Sequence, residues 1–476
     1  MSEFRRQHPI AAVTQFLGVI RQNIVPIAIF LVVGSRNTDE YFWYFFVFGV
    51  VSTLVLGLFG WLRFSYRVDG DELQIKKGIF VRKELYLTKD RIQVIDITEG
   101  LLQRIFGLVK LEVKSAGSGT EGATISAISR SEALELRNIL RGETTLEAEE
   151  KPKEDIEQSR ETLTWRLSGK NLFLAALTSG NFGLIASILG AAAGQLDQFI
   201  TEENLNYVFD HIPGLENTSL FVGVLIFIFV VSYIFSFFGV ILQYAEFKVE
   251  KRDKELHITS GLLERKHTTV PFDRIQALRF VEGILREPFG YGMLYVESAG
   301  FQQKNNERSI VLSPFIKKES LKKFFSEFIE DYEEPETQIT PPKRAFLRYL
   351  RRPNYLLLIT IPLIWWFWEL GWVLCGFLIP ATFLGWLRFN DAVLSFNEHT
   401  LKLQYRVLAK RTAFLKKNRV QASDLSINPF QSYKKLATIN VTVASGAGGK
   451  VFSLTDIDQK EADQILRWSV QKNNDD

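Results

Sequence analysis

DRIQVIDITEGLLQRIFGLVKLEVKSAG, at residues 90–117, occurs three times in this chain with small changes. The second copy is DRIQALRFVEGILREPFGYGMLYVESAG at 273–300, and the third is NRVQASDLSINPFQSYKKLATINVTVASGAG at 418–448. In all three copies, 22 residues separate the arginine of the RIQ or RVQ motif from a valine of the following apolar run. The copies recur at intervals of about 145 to 185 residues, which is too long for a solenoid repeat and indicates a duplicated domain.

Each copy lies within a polar segment that predicts short strands followed by one helix. Alternating apolar and polar residues before the motif, in ELQIKKG from Glu72, KELHITSG from Lys254 and TLKLQYR from Thr400, are typical of half-buried strands. Amphipathic helices are predicted at the segment ends, in SRSEALELRNILR, FIKKESLKKFFSEFIEDY and DIDQKEADQILRWSV. Roughly six to seven strands and a closing helix predict an α+β module, built as a small β-barrel or as a sandwich of packed sheets.

A pair of apolar segments precedes each polar module. The segments at 41–62 and 220–243 carry no charge, and at a rise of about 1.5 Å per residue they are long enough to cross a hydrocarbon core. Their upstream partners are predicted at 22–35 and at 171–196. Arg21 precedes the first partner, so it either snorkels or the helix begins in an interfacial stretch near Ile10.

The third pair is compressed into 354–368 and 370–387, with Glu369 between them. Either its first helix extends back past Pro353, or the pair is a hairpin that spans poorly; we favour two spans. Glu369 is a candidate intramembrane acid, since such acids are often functional, but at a helix turn it more readily reaches interfacial water.

These segments predict a membrane α-helical plus α+β protein in eight parts. In order they are a first helix pair at 10–64, a first module at 65–142, an acidic linker at 143–165, a second helix pair at 166–244, a second module at 245–332, a proline-containing linker at 333–347, a third helix pair at 348–389 and a third module at 390–472. Lys and Arg flank the outer ends of the pairs, whereas the loop at 197–216 has none. This predicts a multi-pass protein of the cell (plasma) membrane with both termini and all modules in the cytoplasm.

Composition excludes several kinds of site. The net charge of +3 gives no reason to expect nucleic acid as a partner. One cysteine and five scattered histidines show no metal-ligand spacing, and GAGGK from Gly446 fails the phosphate-loop pattern because Val451 follows the lysine. No catalytic motif is evident, so we expect no cofactor, no metal and no enzymatic activity.

The repeated motif has two interpretations. Its arginines could contact phosphate, because a guanidinium donates two parallel hydrogen bonds. Alternatively, the arginine and glutamine bond to backbone at a strand start while the residue between them points into the core. We favour the structural role for the six candidate contacts, which are Arg91, Gln93, Arg274, Gln276, Arg419 and Gln421.

The whole chain resembles a bacterial pleckstrin-homology-like family that was long classed as a domain of unknown function. The RIQ or RVQ element, the strand after it, the closing helix and the preceding helix pair carry the resemblance. It implies pleckstrin-homology-like modules in a membrane protein, a second membrane protein of the same family as partner, and a role in envelope defence against antimicrobial peptides. The third copy departs from the pattern, with NRVQ for DRIQ and SYKK for RIFG, so a ligand site shared by all three modules is doubtful there.

Two functions of different classes follow. The first is a non-enzymatic interaction or scaffold protein, with the lipid bilayer, a second membrane protein and lipid headgroups as partners. The second is a transporter or exporter of a peptide or lipid, or a sensor of lipid headgroups. Transporters usually carry broken helices and polar residues at the bilayer midplane, and these apolar segments are nearly devoid of charge, so we favour the scaffold.

Overall fold

A computed structural model describes most of the 476-residue chain. The described residues are 3–22, 27, 40–70, 72–115, 122–141, 163–179, 217–298, 309–329, 332, 335, 338–367, 369–445 and 449–470. Side chains within some helices and strands of these ranges, among them those of Arg91, Gln93 and Glu369, lie outside the description.

The described strands form three successive groups. The first group is β1 (Ser65–Asp69), β2 (Glu72–Lys77), β3 (Lys83–Thr88), β4 (Ile92–Glu99), β5 (Leu108–Ser115) and β6 (Ala123–Ser129). The second is β7 (Leu163–Arg166), β8 (Lys248–Arg252), β9 (Glu255–Ser260), β10 (Arg265–Pro271), β11 (Ile275–Glu282), β12 (Tyr291–Ser298) and β13 (Ile310–Lys317). The third is β14 (Gln338–Ile339), β15 (Val393–Phe396), β16 (Thr400–Arg406), β17 (Lys410–Lys416), β18 (Val420–Ser426), β19 (Leu436–Val443) and β20 (Lys450–Asp458).

The described helices fall between and after these strands. They are α1 (Ile10–Gln22), α2 (Glu40–Leu62), α3 (Leu101–Ile105), α4 (Arg130–Arg141), α5 (Gly169–Leu177), α6 (Asn217–Tyr244), α7 (Leu321–Phe328), α8 (Phe346–Arg351), α9 (Tyr355–Phe367), α10 (Leu378–Asp391), α11 (Pro429–Tyr433) and α12 (Gln459–Val470).

Each module has its own apolar core between two layers of strands and a closing helix. In the first module Leu73 of β2, Leu111 of β5 and Leu136 of α4 are fully buried together. The second core joins β9, β12 and α7 in the same way, and the third joins β16, β19 and α12. The described strands form open sheets rather than a closed barrel.

Two seven-stranded sheets run through the boundaries between modules. Their orders are β6-β5-β4-β10-β9-β8-β7 and β13-β12-β11-β17-β16-β15-β14. The antiparallel pairs β4·β10 and β11·β17 join the second half of one module to the first half of the next. The three-stranded sheets β1-β2-β3 and β18-β19-β20 form the two ends of this array.

The first strand of the second and third modules precedes that module's long apolar helix in the chain. β7 pairs with β8 and β14 pairs with β15, while Arg5 forms a bridge with Tyr66. β7 overlaps the segment predicted as an acidic linker at 143–165, and β14 lies inside the segment predicted as a proline-containing linker at 333–347. Strands of four and two residues are too short to show an alternating pattern, which is why they are not predicted from the sequence.

Three described helices are long and apolar enough to cross a membrane. They cover Trp43–Leu62, Ile226–Tyr244 and Gly371–Asp391. Their predicted upstream partners are only partly described: most of 22–35 and of 171–196 lies outside the described residues. The three-pair arrangement therefore stays a prediction.

The third apolar pair differs from its predicted form. α9 has 13 residues and contains Pro362, and helical backbone continues before it through a 3₁₀ turn at Arg352–Asn354 into α8, so this helix extends back past Pro353. The predicted second helix at 370–387 is 3₁₀ rather than α-helical over Glu369–Phe377, and becomes α-helical at Leu378. Gly371 packs so close to the backbone of Trp365 that a Cβ would overlap with it, which explains how the chain reverses with almost no loop.

We expect Gly261→Ala to destabilise the second module. Gly261 has φ +102°, and a Cβ there would overlap with the carbonyl oxygen of Glu264. The left-handed conformation costs about 1–3 kcal/mol, and the overlap adds to it. Thermal unfolding of the purified protein in detergent should show a larger loss than in the control Gly70→Ala, where φ is +58° and the space is open. Equal losses in the two variants would contradict this assignment.

Candidate functional site

The RIQ motif lies where the chain leaves one sheet and enters the next. Its arginine ends a 3₁₀ turn in each module, at Lys89–Arg91, Phe272–Arg274 and Lys417–Arg419. The following strands, β4, β11 and β18, begin with a shift of register in which the glutamine is the extra residue. The motif thus marks a corner between sheets in all three copies.

The candidate side chains of the motif remain in separate modules. Arg274 lies 3.5 Å from Asp273, and Gln276 is buried and donates to the carbonyl oxygen of Arg274 at 3.2 Å. Arg419 is half-buried near Tyr332, whose burial raises the pKa of the phenol while the positive charge of Arg419 opposes the rise. Gln421 is exposed. The side chains of Arg91 and Gln93 lie outside the description, so the role of the motif stays a prediction.

The two junctions between modules share one register. Arg265, nine positions before Arg274, lies opposite Glu99, eight positions after Arg91. Lys410 and Glu282 stand at the same positions relative to Arg419 and Arg274, and they also lie opposite each other. Each inter-module ladder therefore places a base opposite an acid at the same point.

The first junction buries two acids. Asp96 of β4 is 0% exposed and lies 3.8 Å from Nζ of Lys266 in β10. Glu99 lies 3.7 Å from Nε of Arg130 and 4.0 Å from Nε2 of His267. Burial lowers the pKa of His267, and the charge of Glu99 opposes this. Because a buried carboxylate is costly unless it is paired, these contacts favour one arrangement of the two modules.

A cavity of about 280 Å³ opens beside the first junction, between α4 and strands of the second module. Arg137, Lys248 and Arg252 line it together with Glu250 and His257. Glu250 accepts hydrogen bonds from Lys248 at 2.7 Å and from Arg252 at 2.5 Å. Lys248, Glu250 and Arg252 all belong to β8, so these charged groups are engaged with one another within one strand.

The second junction contains an acid and a guanidinium that are both buried. Glu282 is 2% exposed; burial raises the pKa of its carboxyl, and the charges of Lys318 and Lys410 oppose this only in part. Arg406 donates to Asp391 at the end of α10 and to Glu287 of the second module. One guanidinium thus joins the second module, the third module and the third apolar helix.

A buried polar residue stands twelve positions after the motif arginine in every copy. Arg286 donates to the carbonyl oxygen of Ala175 at 2.8 Å and to Oγ1 of Thr178 at 2.9 Å, at the end of α5. Gln431 donates to Asp456, and Gln103 occupies the same place in the first module. Sequence reasoning missed this position, although a column-by-column comparison of the three copies would have found it.

Exposed apolar side chains gather at two loops of each module, one of which lies at the end of a long apolar helix. Three hydrogen bonds hold the hairpin tips there: Arg63 Nη1 to the carbonyl oxygen of Ile79 at 2.6 Å, the Leu262 amide to that of Leu242 at 2.9 Å, and Arg388 Nη2 to that of Val407 at 2.8 Å. We call the exposed set the apolar rim; it comprises Phe80, Val81, Ile105, Phe106, Leu262, Leu263, Leu285, Phe289, Val407, Leu408, Phe430 and Tyr433.

A second cavity, of about 260 Å³, lies between the third apolar helix and the third module. Three arginines line it: Arg352, Arg388 and Arg406. Arg352 donates to Thr455 and Asp456, whereas Arg388 donates to the carbonyl oxygen of Val407. The cavity thus places several guanidinium groups near the end of an apolar helix.

Two further predictions concern metal ligands and the intramembrane acid Glu369. Within the part of the chain that the structure describes, no group of three or more His, Cys, Asp or Glu is placed to hold a metal ion. Glu369 begins the 3₁₀ segment of the third pair, but its side chain lies outside the description, so its role as an intramembrane acid stays a prediction.

Comparison with known proteins matches the repeat found in the sequence. A family model described as bacterial PH domain matches residues 15–144, 192–330 and 355–473, and each range contains one copy of the motif. The UPF0699 transmembrane protein YdbT of Bacillus subtilis (strain 168) is 33% identical over 494 residues, which covers 98% of this chain and 98% of that protein.

We expect Glu282→Gln to stabilise the protein near neutral pH. Because burial raises the folded-state pKa of Glu282, its contribution to stability is present below the unfolded pKa of about 4.5 and is lost as pH rises through the folded pKa. The glutamine variant lacks this loss. Its melting temperature, measured in detergent from pH 4 to pH 8, should therefore exceed that of the wild type by a difference that grows as pH rises. Glu72→Gln, outside the junctions, is the control, and an equal gain there would contradict the assignment.

Proposed function

The chain belongs to the bacterial PH domain family, and we propose that it is a non-enzymatic membrane scaffold that protects the cell envelope against antimicrobial peptides. The observation that carries the proposal is the backbone ladder between modules, because it holds three modules in one fixed array. A fixed array suits a platform for other proteins better than it suits three independent binding domains.

Strand pairing around each helix pair supports a multi-pass arrangement. β7 and β8 pair with each other, so both ends of the chain between them lie on the same side of the membrane. The same holds for β14 with β15 and for Arg5 with Tyr66. An even number of crossings must separate such partners, and among the described residues each interval contains one long apolar helix. Two crossings per interval satisfy the constraint, and the inter-module ladders support a position of all modules on one side.

The proposed side is the cytoplasm, because basic residues flank the module ends of the apolar segments. With Cys375 replaced by serine, a single cysteine at Asn37 or Asn206 should react with an impermeant maleimide added to intact cells. A cysteine at Lys77 or Lys251 should react only after the membrane is opened. Labelling of all four sites from outside, or of none, would overturn this topology.

The apolar rim supports direct contact between the modules and the lipid surface. One of its two loops in each module lies at the end of a long apolar helix, and its side chains are exposed in the absence of lipid. Burying such side chains in the interface stabilises membrane association in proportion to their apolar area. We therefore place the rim at the cytoplasmic headgroup layer, which holds the array flat against the membrane.

The test of function is deletion of the gene in its host, followed by survival against a panel of membrane-active peptides. We expect selective sensitisation that the gene reverses on complementation. No change across the panel would remove envelope protection from the proposal. Complementation by variants at Arg91, Arg274 and Arg419 then tests the repeated motif: the structural role predicts loss of protein abundance, and a ligand role predicts loss of protection at normal abundance.

The scaffold proposal also predicts that the second junction is needed for protection. Arg406→Ala leaves Asp391 and Glu287 without their shared partner, a change that costs about 3–5 kcal/mol at a buried pair. We expect this variant to fail in the survival assay when expression is adjusted to equal abundance in the membrane. Arg467→Ala, on the exposed face of α12, is the control and should restore full protection.

Recognition of lipid headgroups is a second candidate function, favoured by the arginine-lined cavity at the third module. Phosphate suits clustered guanidinium groups. In this case anionic phosphatidylglycerol in nanodiscs should raise the melting temperature above that in phosphatidylcholine, and Arg388→Gln should remove the difference. Arg467→Gln is the matched control. Equal melting temperatures in the two lipids would exclude the cavity as a headgroup site.

A further inference from the structure

The outer edge of β3, at the start of the module array, has no strand beside it among the described residues. β3 pairs with β2 on one side only, whereas its counterparts β10 and β17 each pair with a neighbour on both sides. Its side chains are correspondingly exposed: Arg82 is 67% exposed, against 33% for Arg265 and 15% for Lys410 at the matching positions. Tyr86 is also largely exposed.

The two internal junctions show what an occupant of this edge must carry. In both, the neighbour is the strand after the motif of another module, in one register. The residue four positions after the motif arginine is a buried apolar one, Ile95 or Leu278. The residue eight positions after it is a buried acid, Glu99 or Glu282. In the same register these two positions would lie opposite Tyr86 and Arg82.

A second copy of this chain does not meet these requirements. Its β4 and β11 are already paired on both sides, so among the described strands β18 is the one of this type with an open edge. In the third module the residue four positions after the motif arginine is Ser423, which is not apolar. The residue eight positions after it is Ile427, which is not an acid. Asp424 and the small polar residues of β18 are instead typical of an edge strand that discourages further pairing.

We propose that the edge of β3 binds the post-motif strand of a bacterial PH module on a different protein, one with an apolar residue opposite Tyr86 and an acid opposite Arg82. This rests on the proposed scaffold function and specifies its partner and its docking strand. Strand addition supplies backbone hydrogen bonds, and the alternate side chains supply specificity. The array thus offers a docking edge at its first module, whereas the edge of β18 at its third module lacks the matching residues.

The test is a photo-crosslink in the full-length protein in its own membrane, in unstressed cells. p-Benzoylphenylalanine replaces Tyr86, and mass spectrometry identifies the adduct after irradiation. We expect an adduct with a distinct membrane protein, joined through the strand that follows the motif of its PH module. The same residue in place of Phe414, which lies opposite Leu278 at the second junction, is the positive control and should link within the chain to β11.

Other adducts would overturn the proposal. A link to β18 would show a second copy of this chain, a link to 142–162 would show that the acidic segment covers the edge, and a link to a protein without a PH module would show another kind of partner. Absence of any adduct, with the Phe414 control positive, also counts against it. Because no peptide stress is applied, the result is independent of the survival assay.

Charge reversal tests the pairing at residue level. Arg82→Glu places like charges opposite each other, so we expect the yield of the adduct to fall about tenfold or more. Arg82→Lys keeps the charge and should retain the yield. Reversing the acid of the partner to lysine should restore the adduct with Arg82→Glu. Retention of the adduct by Arg82→Glu alone would contradict the register.

Discussion

The backbone hydrogen bonds between β4 and β10, and between β11 and β17, are the interaction on which the rest of the architecture depends. Most tandem domains are separated by linkers and move independently. Here the boundary between modules runs through the middle of a sheet, so neither module can rotate without breaking the ladder. The spacing of the apolar helices, the alignment of the rim and the position of the first cavity follow from this constraint.

Buried charge sets the register of these ladders. A slip of one residue would move Asp96 or Glu282 to the other face of the sheet and leave Lys266 or Lys410 without its carboxylate neighbours. Such buried pairs add little to net stability, because desolvation offsets the attraction. Their contribution is to make alternative registers costly. This fits an array in which three similar modules must join in order and not at random.

The triplicated module, its closing helix and the long apolar helices were predictable because each has a strong local signal: an exact spacing, a helical periodicity or a charge-free run. The joining of modules was not. A half-buried strand such as β10 shows the same alternation whether its neighbour belongs to its own module or to the next. β7 and β14 were hidden by their shortness. The buried residues at Gln103, Arg286 and Gln431 were visible in the alignment of the copies but lacked a chemical motif to draw attention to them.

The position of a long apolar helix between the first and second strands of the second and third modules governs the order of biogenesis. When β7 leaves the ribosome its partner β8 does not yet exist, and about 80 residues of membrane-bound chain must be inserted before β8 emerges. Because β7 and β8 pair, the chain between them must begin and end on the same side of the bilayer for the sheet to form. Completion of each module is thereby a check that its membrane segment has been threaded correctly.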